Sequence, residues 1–87
     1  MRHRADGNQK EIVDVLRDIG ASVLVLSQVG GGCPDLMIGW RGKNYLLEVK
    51  TPKGKLRPGQ KEFFDTWRGR AFIVRSADEV LELINCL

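Results

Sequence analysis

The sequence is poor in the residues of nucleophilic and soft-metal chemistry. It has one histidine, His3, and two cysteines, Cys33 and Cys86. A lone histidine beside the N-terminus argues against a Ser-His-Asp triad and equally against a Cys-His pair. The cysteines are far apart and form no Cys-x-x-Cys pattern, which argues against zinc and redox motifs. No apolar stretch approaches the roughly 20 residues that cross a bilayer, so no membrane partner is expected. The opening Met1-Arg2-His3-Arg4-Ala5-Asp6-Gly7 is polar and lacks the apolar core of a signal peptide. Cytoplasmic residence is expected by default. Carboxylates, lysine and a metal ion are what remain for chemistry.

What is present is ordinary globular material. With 43% hydrophobic and 29% charged residues, the 87-residue chain reads as one soluble domain over residues 1–87, of a size that folds without disulfides. Its formal net charge of +3 is too small to diagnose a partner, but the distribution is uneven. Lys50, Lys53, Lys55, Arg57 and Lys61 crowd one stretch, and Arg2, His3 and Arg4 form a smaller group. Such residues attract phosphates by releasing condensed counterions; a solvated loop is the other reading of the same run.

Ile12, Val13, Leu16 and Ile19 recur at helical spacing and predict a first helix over 9–19. Asp6 or Asn8 is placed to cap it, and Gly20 to end it. Ser22 to Val29, centred on Val23-Leu24-Val25-Leu26, reads as a buried strand, and Gly30-Gly31-Gly32 as a flexible or closely approached loop. Two further strands flank Arg41-Gly42. After the loop from Thr51 to Arg57, Pro58 opens a helix to about Trp67 with Phe63, Phe64 and Trp67 as its buried face. Ala71 to Arg75 is a fourth strand. Ser76 and Glu79 make a capping-box pattern for a last helix carrying Val80, Leu81, Leu83 and Ile84. The element order is α-β-β-β-α-β-α.

Within that order the run Pro34-Asp35 … Glu48-Val49-Lys50 carries chemistry, with twelve residues between the two acids. A two-residue turn at Arg41-Gly42 pairs Trp40 with Lys43, glycine supplying the positive φ that such turns demand. Asp35 then falls opposite Glu48, at a Cβ separation of roughly 5 Å, and Lys50 projects from the same face. A turn at Gly42-Lys43 would break this register. Facing carboxylates repel, and one tends to stay protonated unless a cation lies between them. Hard divalent cations take such oxygen ligands. A surface hairpin with solvated acids is the bland alternative.

The same residues resemble the PD-(D/E)xK nuclease superfamily, and more narrowly a stand-alone VRR-NUC (virus-type replication-repair nuclease) domain. The resemblance spans nearly the whole chain. It rests on Asn8-Gln9-Lys10-Glu11-Ile12-Val13, the glycine-rich approach to Pro34-Asp35, Leu46-Leu47-Glu48-Val49-Lys50, Gln60 and Trp67-Arg68-Gly69. It implies a restriction-endonuclease-like αβββαβ core, a mixed four-stranded sheet flanked by helices, with an extra C-terminal helix. It also implies that Asp35, Glu48 and the Val49 carbonyl bind Mg²⁺ or Mn²⁺, that Lys50 orients the attacking water, that Glu11 completes the metal site, and that Gln60 supports it. Glu11 has a second reading, as the returning partner of an Asn8 capping box. Gln60 is ambiguous in the same way, as third residue of its helix. The chain departs from the family at Arg57, where Thr or Ser commonly precedes that proline.

The expectation is therefore a metal-dependent DNA endonuclease, acting in the cytoplasm of a bacterium or of a phage-infected host. Lys53, Lys55, Arg57 and Lys61 are its expected DNA contacts. Stand-alone relatives resemble Holliday-junction resolvases, so a homodimer acting on branched DNA is expected. A less selective nickase or flap nuclease, and a DNA-binding module retaining the fold, are the alternatives. Trp67 is expected in the core; Trp40 either covers a sheet face or joins a subunit contact; Arg75 meets a phosphate or caps a carboxylate.

Overall fold

The computed structural model describes residues 4–87, with side chains from residue 8 onward. Arg2, His3 and the side chains of Arg4 and Asp6, named above, lie outside the described residues. The elements are α1 (Arg4–Asp18), β1 (Ser22–Val25), β2 (Leu36–Trp40), β3 (Lys43–Val49), α2 (Pro58–Thr66), β4 (Ala71–Val74) and α3 (Ala77–Cys86). They form one four-stranded sheet of order β1-β2-β3-β4. The first three strands are antiparallel, and β4 runs parallel to β3. This is the mixed α/β architecture expected from the sequence.

The central hairpin follows from its turn. Arg41 and Gly42 both take positive φ, 52° and 83°, the pattern of a two-residue turn whose twist matches its strands. Trp40 pairs with Lys43 and Leu36 with Leu47, so the expected register holds. Alternation then divides the side chains. Leu36, Ile38, Tyr45, Leu47, Val49 and Val74 face a core closed by Ile12, Val13 and Leu16 of α1 and by Val80 and Ile84 of α3. Leu81 and Leu87 pack against this core as well. On α3, the Ser76 hydroxyl accepts from the Glu79 amide at 3.0 Å, while Glu79 returns its carboxylate to the Arg75 amide at 2.7 Å.

Three expectations need correction. The first helix begins at Arg4, not Gln9, so Asn8 is interior and caps nothing. Its amide instead donates to the carbonyls of Lys50 (3.0 Å) and Arg75 (3.3 Å). The other end is as expected: Gly20 has φ 98°, and the amides of Gly20 and Ala21 bond to Arg17 and Leu16, a Schellman closure.

The first strand is short and lies at the sheet edge, with Leu24 57% exposed. A run of apolar residues looks the same whether one sheet face is covered or both, and here α1 covers one. Helix α2 buries no residue, and Trp67 is 49% exposed rather than core. It stacks on Phe63 at a ring separation of 4.9 Å. With Val29, Met37, Tyr45 and Leu46 these rings line an apolar groove of about 540 Å³. Trp40 packs, half-buried, against the core.

Candidate active site

Where β3 ends, the sheet opens into a cleft of about 590 Å³. Its lining includes Gln9, Ser27, Asp35, Glu48, Val49, Lys50, Thr51, Lys55, Arg57 and Gln60. Asp35 is delivered by a rigid approach. Pro34 is fully buried and fixes its own φ, and the Asp35 carbonyl accepts from the Leu26 amide at 2.7 Å. One carboxylate oxygen, Oδ2, accepts from the Val49 amide at 2.8 Å. The side chain thus takes the place of a ladder bond and is held beside β3.

Glu48 points to the face away from α1 and α3 and is 1% exposed. Its Oε2 accepts from Gln60 Nε2 at 3.0 Å and lies 3.6 Å from Lys50 Nζ. Its Oε1 is buried with no hydrogen-bond partner. Burial first, then the charge of Asp35, pushes the Glu48 carboxyl up to about 7, with Lys50 pulling the other way. Gln60 is fixed from its other end, since Oε1 accepts from the Arg57 amide at 2.9 Å. The two readings of Gln60 therefore coexist: one amide closes the start of α2 and holds Glu48. Burial also raises the nearby Cys33 thiol, with Glu48 and Asp35 adding to the effect, which leaves it protonated and inert.

The glycine loop supports this corner by close approach. Gly32 has φ 78°, and a Cβ there would collide with the Gly59 carbonyl oxygen at the start of α2. Beyond Lys50, the Arg75 guanidinium donates to the carbonyls of Thr51 (2.9 Å) and Gly54 (2.6 Å). These two bonds clamp the basic loop. Lys55 and Arg57 line the cleft, whereas Lys53 is exposed beside it. Lys61 lies one turn along α2, ion-paired with Asp65 at 3.2 Å.

The structure gathers Asp35, Glu48, Lys50 and Gln60 but leaves Glu11 outside. Helical phase gives the reason. At about 100° per residue, Ile12, Val13 and Leu16 set the buried direction of α1. Gln9 lies within that arc, whereas Glu11 points to the far side and is exposed. Gln9 was missed because resemblance drew attention to the acid two positions later. Its phase with the apolar stripe was the available signal.

The donor set fits a hard cation. Two carboxylates and a strand-end carbonyl supply oxygen ligands, and an orphaned buried carboxylate oxygen is a standing electrostatic deficit. Among the described residues, no cluster of three or more acidic, histidine or cysteine side chains is found. Fold and cleft together make this an α/β nuclease-fold domain. The sequence model of the VRR-NUC domain matches residues 2–78, and the chain belongs to that family. A solved structure described as a VRR_NUC domain is similar over 97% of both chains, with a TM-score of 0.76 and 26% identity. No curated protein matches the chain. Among the described residues, no helix is long and apolar enough to cross a membrane.

Proposed function

We propose that the chain is a divalent-cation-dependent DNA endonuclease that acts as a homodimer on branched DNA, in the manner of a Holliday-junction resolvase. The observation that carries the catalytic reading is Glu48 Oε1, buried and unpartnered beside Asp35. Asp35, Glu48 and the Val49 carbonyl would hold Mg²⁺ or Mn²⁺. When bound, such an ion supplies Lewis-acid charge and lowers the pKa of a water.

The protein's own groups do the rest. Lys50, 3.6 Å from Glu48, orients the attacking water and offsets charge on the scissile phosphate. Gln60 holds Glu48 in place. Lys55 and Arg57 flank the same cleft and attract the phosphate backbone. Cleavage would leave a 5′-phosphate and a 3′-hydroxyl.

The dimer is supported by the open apolar groove, whose rim carries Trp67 and Val29, the latter 64% exposed. Symmetric cutting of a four-way junction requires two equivalent sites, which a two-fold dimer provides. The test is cleavage of junction, flap, single-stranded and linear duplex DNA in Mg²⁺. Junctions should be cut first, and Asp35→Ala and Lys50→Ala should lose all cleavage while remaining folded. Retained activity in Asp35→Ala would refute the assignment. A single-subunit mass in sedimentation, with junction cleavage intact, would refute the dimer.

A further inference from the structure

Among the described residues, helix α1 reaches the cleft through one side chain, Gln9, and that side chain carries no charge. Gln9 lines the cleft with Asp35, Glu48, Lys50 and Gln60. The turn that carries it is anchored, because the adjacent Asn8 amide bridges the carbonyls of Lys50 and Arg75 at the ends of the two parallel strands. Gln9 is thus held beside the reacting corner by the neighbour that fixes that corner. Glu11 has no such position; it is exposed on the opposite side of the helix.

We infer that Gln9, not Glu11, is the first helix's contribution to the cation site, and that it contributes a neutral amide oxygen. The inference rests on the nuclease reading above for its biological meaning, though not for its test. With Gln9 as the third side chain, the oxygen donors among the described residues carry two formal negative charges, and Lys50 offsets one of them. Affinity of oxygen-ligand sites for divalent cations rises with the number of charged ligands. The site is therefore a weak cation binder by composition, and one substitution at residue 9 strengthens it without altering side-chain size.

The test is calorimetric titration of Mn²⁺ alone into the full chain, with line width of the Mn²⁺ spin resonance as a second readout. Gln9→Glu should tighten Mn²⁺ binding by about tenfold or more. Gln9→Ala should weaken it severalfold, and Glu11→Gln should leave it unchanged. Thermal unfolding in chelator establishes that each variant is folded. Unchanged affinity in both Gln9 variants, with weakening in Glu11→Gln, would overturn the assignment. So would the absence of Mn²⁺ binding in both wild type and Gln9→Glu. A wild type that binds Mn²⁺ with the expected variant pattern, yet cuts no DNA, would refute the nuclease reading and leave Gln9 where the inference puts it.

Discussion

Glu48→Gln should stabilise the metal-free protein, and the gain should grow with pH. Burial and the Asp35 charge raise the Glu48 carboxyl from 4.5 to about 7, so the folded protein holds that proton more tightly than the unfolded chain does. Below pH 4.5 both states are protonated and the carboxyl contributes its full share of stability. Between about 4.5 and 7 unfolding releases a proton, and stability falls as pH rises. Above about 7 both states are ionised and the loss is complete. At about 1.4 kcal/mol per pKa unit, the loss is on the order of 3 kcal/mol.

For a domain of this size, that loss lowers Tm by roughly 10 °C or more. A glutamine at 48 keeps an acceptor for Gln60 and carries no charge to bury. Urea unfolding in chelator at pH 5, 6, 7 and 8 should show wild type and Glu48→Gln close together at pH 5. They should diverge by about 2–3 kcal/mol at pH 8. Added Mn²⁺ should restore wild type at pH 8 and leave Glu48→Gln unmoved. A gap between the two proteins that stays constant from pH 5 to 8 would refute the reasoning, because it would mean that Glu48 pays no ionisation penalty in the fold.

Two further outcomes follow from the cleft's supports. Gly32→Ala combines a strained positive φ with a collision against Gly59 and should cost at least about 2 kcal/mol in urea unfolding. Gly30→Ala, with φ 79° but open space around it, should cost only about 1 kcal/mol; equal losses would show that the collision is relieved for free. Arg75→Ala removes the single guanidinium nitrogen that bonds both the Thr51 and Gly54 carbonyls, so trypsin should cut after Lys53 and Lys55 severalfold faster than in wild type. Unaltered cleavage rates would show that the loop does not depend on the clamp.

The hairpin was the most legible part of the chain, because its turn constrains both its own backbone and the pairing of every residue beyond it. Arg41-Gly42 was enough to bring Asp35 and Glu48 to one place. The helix starts at Pro58 and Ser76 were legible for similarly local reasons. What could not be read was how much neighbouring structure each apolar segment receives. Leu24 and Trp67 are as apolar as Leu47 or Val80, and only their places at a sheet edge and on a peripheral helix leave them exposed. The site was legible through its acids and lysine. Asn8 and Arg75 act through backbone carbonyls and Gln9 reaches the cleft through its orientation on α1, and composition gives no hint of either. Asn8 even carried a misleading signal, since the residue type that caps a helix also bridges strand ends.

The Gln60 side chain has two ends of similar shape and opposite polarity, and the amide of Arg57 dictates which way round it sits. Turned the other way, it would set oxygen against oxygen. This fixed handedness makes the two oxygens of a single carboxylate chemically unequal before any visitor arrives: one is already engaged, and the other is kept in reserve.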